Sequence, residues 1–419
     1  MRNKINIILN GLFIFLILLA VSSCLNKGET YPINVIPVGS SIGTYNLLNL
    51  SDYATDIKYI PLETSDSVLV GVIPQICYED EKILIKDISS LKYNCYLFDN
   101  QGKFCRKIGQ WGQGPNDYLY ILTTFIYENL IFLQDVNKFL IYDISGNLVG
   151  KYNFLANDII FGDRAFYIHE ILPLKKDTFI MNITSWNTHY PKAIVFETDN
   201  SDIKIIKEYP NYVKIDKLKG GFSSEEAGVM YRFKDDVRKY SFINDTVFTI
   251  GKDMEINNVF IFELEKYKPP ASLVEITEEN VTLRKKYIFP TAICESQNHL
   301  FIKFSFGDHA HEPFEYMNNR GNKSTNRDVY GIFDKRTGSL SLMKQPIKGK
   351  LGFKNDIDNG PIIWPHYISS NNELVTYIYV EEFMEYYKKI ENPTLQMREV
   401  AENVKLDDNQ IVIIAKLKE

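Results

Sequence analysis

The residues best suited to metal chemistry lie together in one short segment, Phe306–Glu312. His309 and His311 project to the same side of this segment if its backbone is extended. The flanking Asp308 and Glu312 supply carboxylate oxygens, so these residues could hold a divalent cation. A third ligand must come from a distant segment, however, and the spacing of the sequence specifies none. Loop histidines are more often solvated or hydrogen-bonded, and we therefore expect no metal or other cofactor.

Histidine chemistry is also available elsewhere in the chain, but not in a recognised motif. The His-Glu-x-x-His pattern of metalloproteases is absent from the sequence. His366 could meet His309 and His311 only if the fold brings distant segments together. The elements that position these side chains therefore decide whether they form a site.

Two segments of the chain, Tyr96–Phe104 and Leu140–Leu148, are near-copies of each other. Aligning Asp99 with Asp143 sets a period of 44 residues. A unit of this size cannot bury its own apolar face, so it must stack on sister units. A strand-turn-strand unit that repeats at this interval is typical of a β-propeller blade. The Asp and Gly residues of both copies are interpreted as hairpin residues rather than as a site.

Alternating or apolar runs bounded by turn residues predict six such blades. Near the N-terminus, the strand Ile57–Leu62 belongs to no complete blade. Near the C-terminus, the sixth blade lacks one strand beside Gln410–Leu417. Pairing these two strands in the sixth blade removes the exposed edges. The predicted fold is therefore all-β, a six-bladed β-propeller closed by its N- and C-terminal strands. A seventh blade would have to lie between Asp216 and Tyr287.

Three stretches depart from the blade pattern. Glu381–Val404 has apolar residues at helical spacing, interrupted by Pro393, and predicts a short helical insertion before the closing strand. Leu273–Lys286 has charge spacing that is compatible with a helix, and the polar stretch Met317–Arg327 predicts a mobile loop in blade 5. The fourth blade is recognised only in part, from Tyr240–Ile243, Thr246–Ile250 and Val259–Glu263.

The N-terminal residues have the features of an export signal. Arg2 and Lys4 precede an apolar run that is uninterrupted from Leu12 to Val21. A membrane-spanning helix needs about 20 apolar residues, so this run favours a cleaved signal over a membrane anchor. Val21–Cys24 resembles a bacterial lipobox, in which the cysteine becomes the lipidated first residue of the mature chain.

These features divide the chain into three parts. We predict a lipoprotein signal peptide at residues 1–23, a tether at 24–50 and the propeller at 51–419. Acyl chains on Cys24 would hold the protein on a membrane by burying methylene groups. The predicted location is the cell envelope, with the protein anchored by lipid on the periplasmic or surface face of the outer membrane.

Four cysteines remain in the predicted mature chain besides Cys24: Cys77, Cys95, Cys105 and Cys294. An even number in an exported chain permits disulfides, with three possible connectivities. Cys95 and Cys105 flank a predicted hairpin turn and could face each other. Each cysteine lies in an apolar or strand-like context, so buried free thiols are the preferred interpretation.

The composition supports an all-β body and argues against one class of partner. The chain has 27 Tyr and 26 Phe, and aromatic residues suit the half-buried surfaces of sheets. The formal net charge of −6 becomes −8 once residues 1–23, with two basic and no acidic side chains, are removed. No stretch dense in Lys and Arg with interleaved aromatics is present, so we expect no nucleic-acid partner. An acidic chain also disfavours a polyanionic ligand unless basic side chains cluster at one site.

The most distinctive local sequence is Lys107–Tyr118, just after the first predicted blade. Together with the lipobox, Ile60–Thr64 and the Phe-Asp-x-x-Gly turns, it resembles the Bacteroides-type six-bladed β-propeller lipoproteins, relatives in shape of NHL-repeat and TolB-like propellers. Their common pattern Gly-x-Gly-Pro-Gly-Glu-Tyr is changed here, because Asn116 and Asp117 replace Gly and Glu. The resemblance covers nearly all of the mature chain. The resemblance implies a fold and a cellular location but little about mechanism, since most members have no known biochemical function.

Five side chains are candidates for the mouth of the propeller channel: Trp111, Tyr118, His309, His311 and His366. We expect a binding or scaffold module for a glycan, a peptide or a partner protein of the cell envelope. The alternative is a propeller-fold polysaccharide lyase or hydrolase that uses these histidines and Tyr side chains at the channel mouth.

Overall fold

The computed structural model describes residues 34–419, apart from 90, 155–165, 186–190, 200–201, 211–227, 243, 275–276 and 319–320. The described residues form six blade sheets, each with four antiparallel blade strands, and one separate two-stranded sheet. The first strands of consecutive blades contact one another in order, and that of the sixth blade contacts that of the first. The sheets therefore close into a ring, and the predicted all-β, six-bladed β-propeller is confirmed.

Within each blade the strands run in order from the inner ring to the outside. Blade 1 comprises Val72–Glu79, Lys82–Ser89, Lys92–Asp99 and Phe104–Lys107, and blade 2 comprises Thr123–Tyr127, Leu130–Gln134, Lys138–Asp143 and Leu148–Asn153. Blade 3 comprises Phe166–Lys175, Thr178–Ser185, Ala193–Asp199 and Asp202–Tyr209, and blade 4 comprises Val229–Phe233, Asp236–Tyr240, Thr246–Ile250 and Ile256–Phe262. Blade 5 comprises Phe289–Glu295, His299–Ser305, Asp328–Asp334 and Ser339–Met343, and blade 6 comprises Tyr367–Ile368, Glu373–Ile378, Ile411–Leu417 and Ala54–Pro61.

Blade 6 closes the ring with strands from both ends of the described chain. Ala54–Pro61 pairs antiparallel with Ile411–Leu417, from Pro61 opposite Ile411 to Ala54 opposite Leu417. The prediction that the N-terminal strand completes the last blade is therefore confirmed. This pairing covers an edge that would otherwise expose unpaired backbone groups.

The repeated Asp and Gly residues form the turns between third and fourth strands. Asp99 Oδ1 accepts bonds from the backbone N–H groups of Gln101 and Lys103, both at 2.9 Å, and Asp143 Oδ1 accepts the N–H of Asn147 at 2.8 Å. The following glycines have left-handed backbones, with φ of 80° and 81°, a conformation that glycine adopts without a steric penalty. The repeat specifies hairpins, as the sequence indicates.

Aromatic side chains fill the interfaces between blades. Phe132 and Phe139 of blade 2 pack on Phe179 of blade 3, with ring centroids 5.5 and 5.1 Å apart. Phe179 in turn stacks on Phe196, 5.6 Å away in the same blade. Burial of such rings supplies a large apolar area at each blade interface, which explains the high aromatic content.

Residues 34–50 lie on the propeller, so the predicted tether at 24–50 is too long. Asn34–Ile36 adds a parallel fifth strand to blade 4, and Tyr45–Asn46 does the same for blade 5. The short helix Val38–Ser41 lies between them. Polar residues in this segment disguise the pairing, because an added edge strand has one face in solvent.

Blade 4 corrects the predicted strand assignment. Its second strand is Asp236–Tyr240, whereas the sequence predicted a strand at Tyr240–Ile243. The first strand, Val229–Phe233, was not predicted at all. The second strand was missed because its charged residues Arg238 and Lys239 are typical of a surface, whereas in the structure they are only 5% and 6% exposed.

The insertions are more ordered than the sequence indicates. The predicted mobile loop at Met317–Arg327 is largely a hairpin, formed by Phe314–Met317 and Lys323–Asn326. The predicted helical insertion is confirmed as two helices, Val380–Tyr387 and Leu395–Asn403. Between blades 4 and 5 lie two 3₁₀ turns, Glu265–Tyr267 and Ala271–Val274, and the helix Glu278–Arg284; a further 3₁₀ turn, Gly307–His309, follows the second strand of blade 5, and Leu50–Asp52 precedes the closing strand.

All four cysteines in the described residues are free thiols. Cys77 and Cys95 are buried, as predicted, but Cys105 is exposed. The pair Cys95–Cys105 does not face across its hairpin, because the N–H of Ile108 bonds to the carbonyl of Cys95. From residue 34 onward, no helix that the structure describes is both long and apolar enough to span a membrane.

Candidate functional site

Departures from the blade repeat collect on one side of the ring. We call the top face the side at which each first strand begins and each second strand ends. The hairpin inserted in blade 5 and the helices inserted in blade 6 both follow second strands, so they begin at this face. Because the first strands form the inner ring, side chains at their starts surround the mouth of that ring.

The fifth residue of every second strand reaches the top face and is polar in all six blades: Lys86, Gln134, Asn182, Tyr240, Lys303 and Tyr377. In four blades this side chain donates a hydrogen bond to a carbonyl at the start of the next blade. These inter-blade bonds join Lys86 Nζ to Leu122 O (2.7 Å), Gln134 Nε2 to Ile168 O (3.1 Å), Asn182 Nδ2 to Gly228 O (3.2 Å) and Tyr377 Oη to Ile73 O (2.9 Å). Four interfaces between blades are therefore closed at the top face.

Among the described residues, the interface between blades 4 and 5 lacks such an inter-blade bond at the top face. Tyr240 is 1% exposed, and its hydroxyl has no hydrogen-bond partner in the described part of the chain. Between blades 5 and 6, Lys303 pairs instead with Asp328 of its own blade, with Nζ and Oδ2 2.9 Å apart. A weaker contact joins these two blades, from the Cys294 thiol to the carbonyl of Pro365 at 3.7 Å.

At the opposite face, blades 4 and 5 are joined by a buried ionic network around Glu295. Arg238 Nε and the Tyr231 hydroxyl, both of blade 4, donate to Glu295 Oε2 at 3.2 and 2.9 Å. Lys335 Nζ donates to Glu295 Oε1 at 2.7 Å and lies 4.0 Å from the centroid of the Phe233 ring. Burial lowers the pKa of Lys335. This interface is thus held by charges at one face and open at the other.

A cavity of about 270 Å³ lies at the open top face of this interface. The lining comes from the loop after the second strand of blade 4, the connecting helix and blade 5: Phe242, Arg284, Lys285, Phe289, Thr291, Ser305, Gly307 and Arg327. Three of these side chains are basic, two carry hydroxyl groups and two are aromatic. None of the described lining residues is acidic. We call this cavity the basic pocket.

The wall of the basic pocket depends on a close backbone contact at Gly307. Its φ is +54°, and a Cβ at this position would lie 2.1 Å from the carbonyl oxygen of Lys285. The next residue, Asp308, donates its backbone N–H to that same oxygen at 2.7 Å. Arg327 Nη1 bonds to the carbonyl of Gly307 and to Asp308 Oδ1, each at 3.3 Å. Glycine is required here because any side chain would push these segments apart.

A second group of titratable side chains lies at the mouth between blades 3 and 4. His169 is the extra residue of a β-bulge in the first strand of blade 3, between the pairs Ile168–Ile183 and Glu170–Asn182. Glu170 Oε2 accepts the N–H of Met230 at 2.6 Å, and Lys239 donates to the Asn182 side chain. We call His169, Glu170, Asn182 and Lys239 the mouth cluster.

Burial perturbs the acid–base properties of the mouth cluster. It raises the pKa of Glu170 to about 7 and lowers the pKa of Lys239 to about 7. Burial and the nearby Lys239 ammonium also lower the pKa of His169. His169 Nε2 has no hydrogen-bond partner among the residues described. Proton transfer near neutral pH is therefore chemically accessible to these groups.

A wider cleft, of about 680 Å³, separates the inserted helices from the loop that joins blades 5 and 6. Amide, aromatic and lysine side chains line it, among them Asn355, Asn359, Tyr386, Lys350 and Lys389. Glu385 and Glu391 also line the cleft, so its charges are mixed.

The structure separates the three histidines that the sequence singled out. His366 lies at the mouth, where Nδ1 is 2.7 Å from Thr376 Oγ1, and burial followed by the Lys303 charge lowers its pKa. His309 Nε2 bonds to the carbonyl of Lys286 at 3.1 Å, and His311 stacks on Tyr45 at 4.3 Å. In the described residues, no group of three or more His, Cys, Asp or Glu side chains is arranged to hold a metal ion.

Trp111 and Tyr118 occupy different environments in the crossover between blades 1 and 2. Tyr118 is fully buried, packs in the core of blades 1 and 2, and donates to the carbonyl of Ile108 at 3.4 Å. Trp111 is 37% exposed, with Lys92 Nζ 5.1 Å from its ring centroid. Cys24, the predicted lipidation site, lies outside the described residues.

One motif escaped the sequence analysis. Gly39–Gly43 matches the Gly-x-Ser-x-Gly pattern of hydrolase nucleophiles. The pattern falls on a single helical turn, Val38–Ser41, and the Ser41 hydroxyl donates to the carbonyl of Pro37 at 2.6 Å. This geometry differs from the strand-turn-helix elbow that the motif requires, so it does not indicate a catalytic serine.

The basic pocket and the mouth cluster also went unrecognised in the sequence. The pocket draws Arg284, Lys285 and Arg327 from separate segments, which no local pattern joins. A usable signal existed for the mouth cluster, because His169 and Glu170 interrupt an otherwise apolar strand. Their position at the start of a first strand would have placed them at the mouth.

The fold is an all-β propeller with cavities at its top face. Residues 33–416 match the family described as Domain of unknown function (DUF4934), and the chain belongs to this family. No curated protein matches the sequence.

Two solved structures resemble this chain across most of its length. A protein of Bacteroides fragilis NCTC 9343 described as exported is 19% identical, with a TM-score of 0.67, and the match covers 93% of this chain and 100% of that one. A member of the DUF4221 family from Bacteroides vulgatus is 12% identical, with a TM-score of 0.49, and the match covers 87% of this chain and 97% of that one. At 19% identity, the first of these likenesses shows the shared fold.

Proposed function

We propose that this protein is an exported, lipid-anchored β-propeller that binds a ligand of the cell envelope at its top face. The ligand class open to it is a glycan, a peptide or a partner protein. The observation that carries the proposal is the basic pocket, which lies where the described residues of blades 4 and 5 make no inter-blade bond at the top face. The regular blades supply the scaffold, and the irregular interface supplies the site.

The lining of the basic pocket favours binding over hydrolysis. Glycoside hydrolysis generally uses a pair of carboxyl groups on either side of the scissile bond. The eight described lining residues include no Asp, Glu, His, Cys or Tyr. Arginine, lysine and hydroxyl groups can hold and orient a ligand, but they do not supply that pair.

A screen of envelope ligands tests the binding proposal. The chain without its acyl group would be mixed with neutral saccharides, acidic saccharides and short peptides, and the unfolding temperature measured. At least one class should raise it, because a ligand that binds only the folded state stabilises that state. The increase should disappear in Ser305→Trp, which fills the pocket. If no class stabilises the protein, or if Ser305→Trp responds as the wild type does, the proposal fails.

Lipid anchoring is supported by the Val21–Cys24 lipobox and by the exported description of the Bacteroides fragilis neighbour. Replacing Cys24 removes the acylated thiol, so Cys24→Ala should move the protein from the membrane fraction to the soluble fraction. The unfolding temperature of the propeller should stay unchanged. Retention of Cys24→Ala in the membrane fraction would contradict the anchor.

The mouth cluster supports a second candidate function, a polysaccharide lyase or hydrolase. Its perturbed pKa values suit general acid–base chemistry. If this candidate is right, release of oligosaccharides from polysaccharide should be abolished in Glu170→Gln while the unfolding temperature is kept. Polysaccharide left uncleaved by the wild-type protein would exclude it.

A further inference from the structure

We infer that the basic pocket takes the carboxylate of an acidic sugar, a single uronic acid residue at the end of a glycan. This inference rests on the proposed binding function and names its ligand class. It is drawn from the charges, the fixed geometry of one guanidinium group, the apolar wall and the size of the pocket.

The charge of the pocket opposes that of the chain. The whole sequence has a formal net charge of −6, yet Arg284, Lys285 and Arg327 line one cavity without an acidic lining residue in the described chain. Asp308 is the carboxylate that pairs with Arg327, and its side chain is 54% exposed. Basic groups gathered in a small concave site attract an anion despite the overall negative charge.

The two arginines are positioned by backbone carbonyls. Arg284 Nη2 donates to the carbonyl of Leu273 at 2.7 Å. Both contacts of the Arg327 guanidinium, to Gly307 O and to Asp308, use Nη1. A guanidinium has five donors in a fixed plane. Among the described residues Nε and Nη2 of Arg327 have no partner, so they are available to an acceptor. Arginine in this state recognises planar carboxylate groups by paired hydrogen bonds.

The remaining lining residues match a ligand that has apolar surface and hydroxyl groups as well as a negative charge. Phe242 and Phe289 supply an apolar wall, which would be left bare by phosphate or sulfate alone. Ser305 and Thr291 supply hydroxyl groups, and the Thr291 hydroxyl donates to the carbonyl of Lys303 at 3.1 Å, which leaves its oxygen as an acceptor. A ring that carries both hydroxyl groups and a carboxylate matches this combination.

The size of the pocket limits the ligand to one residue. Its volume of about 270 Å³ lies just below the range of about 300–1,000 Å³ typical of drug-sized ligands. A single sugar ring fits such a space, whereas an extended oligosaccharide does not. The ligand is therefore a terminal residue rather than the interior of a chain.

Calorimetric titration with glucuronate, glucose and inorganic phosphate tests this inference. Glucose has the same ring with a hydroxymethyl group in place of the carboxylate. We expect glucuronate to bind about tenfold or more tightly than glucose, since hydrogen bonds to a charged group are worth at least that factor. We also expect glucuronate to bind more tightly than phosphate, because phosphate cannot cover the two aromatic rings.

Variants then locate the binding. Arg327→Gln and Ser305→Glu should each weaken glucuronate binding about tenfold or more. Ser305→Glu adds a carboxylate that repels glucuronate and leaves the bonds of both arginines in place. If Arg327→Gln unfolds, Ser305→Glu therefore still tests whether glucuronate binds in the basic pocket. Arg336→Gln is the matched control, because Arg336 is exposed on the turn opposite the top face and, among the described residues, pairs only with Asp334. That variant should bind as the wild type does.

Several outcomes would overturn the inference. Equal affinity for glucuronate and glucose would show that the carboxylate is not recognised, and phosphate binding as tightly would show a general anion site. Unchanged glucuronate binding in Ser305→Glu would place the site elsewhere. If a neutral saccharide or a peptide binds and Ser305→Trp blocks it, the proposed function stands while the acidic sugar is excluded. Absence of any binding contradicts both.

Discussion

The interface between blades 2 and 3 and the interface between blades 4 and 5 are held together by different contacts. At the first, Gln134 reaches across the top face to the carbonyl of Ile168, and rings of Phe fill the space below. At the second, Tyr240 holds the equivalent position but makes no such bond. Charges around Glu295 join these blades at the opposite face instead.

This difference shows where the propeller leaves a cavity between two blades. An inter-blade bond at the top face holds the start of one first strand against the preceding blade. Without that bond, the segments around Phe242 and Phe289 diverge enough to form the basic pocket. The ionic network keeps the two blades together while the top face stays open. If the proposed binding function is right, stability and binding are divided between the two faces of one interface.

The largest expected effect comes from breaking the ionic network. In Glu295→Gln the side chain keeps its shape but loses its charge. The buried Lys335 then loses its carboxylate partner, and Arg238 retains only Asp236 as a carboxylate partner among the described residues. Loss of one partner from a buried ionic group costs about 3–5 kcal/mol. The free energy of unfolding in urea should fall by this amount.

A surface ion pair serves as the matched control for this substitution. Glu255 pairs with Lys207 at 2.8 Å, but its side chain is 67% exposed. Exposed pairs are worth about 1 kcal/mol or less, so Glu255→Gln should change the free energy of unfolding little. Equal losses in the two variants would show that the network does not hold blades 4 and 5 together.

An intermediate effect is expected at the wall of the basic pocket. Gly307→Ala places a Cβ where the carbonyl of Lys285 stands and also strains a left-handed backbone. We expect a loss of about 1–3 kcal/mol in the free energy of unfolding, with displacement of the pocket wall. Calorimetry should show weaker ligand binding as well.

Gly338→Ala separates the effect of backbone strain from the effect of the clash between the Cβ and the carbonyl of Lys285. Gly338 has a similar φ of +70°, but no atom lies within 4 Å of a Cβ built there. That substitution carries only the backbone strain, so it should cost less than Gly307→Ala and leave ligand binding intact. If Gly338→Ala weakens binding equally, the contact between Gly307 and Lys285 does not shape the pocket.

The regular part of this comparison could be predicted from the sequence, and the irregular part could not. The Asp99 and Asp143 turns repeat because each hairpin needs the same local residues. Ile57–Leu62 had no partner strand in the first blade, and ring closure predicted its pairing with the C-terminal strand. Local patterns specify such features directly. Blade 4 was recognised only in part, since its buried Arg238 and Lys239 look like surface residues until their partners in other blades are known.

The candidate site fails to show in the sequence for the same reason. Arg284 and Arg327 are 43 positions apart and meet only through the geometry of blade 5. Conversely, His309 and His311 are neighbours in sequence but face Lys286 and Tyr45 in different directions. Closeness along the chain made these histidines weak candidates for metal ligands, whereas the fold gives each histidine a separate structural partner.

The smallest expected effect comes from a matched pair of tyrosines. Tyr377 and Tyr240 are both the fifth residue of a second strand, but only Tyr377 donates its hydroxyl to the next blade, at 2.9 Å from Ile73 O. Tyr377→Phe should therefore cost about 0.5–1.5 kcal/mol in the free energy of unfolding. Tyr240→Phe removes a buried hydroxyl without a partner, so it should leave stability unchanged or raise it slightly. Urea unfolding of both variants measures the difference, and equal losses would mean that the inter-blade bond contributes nothing to the ring.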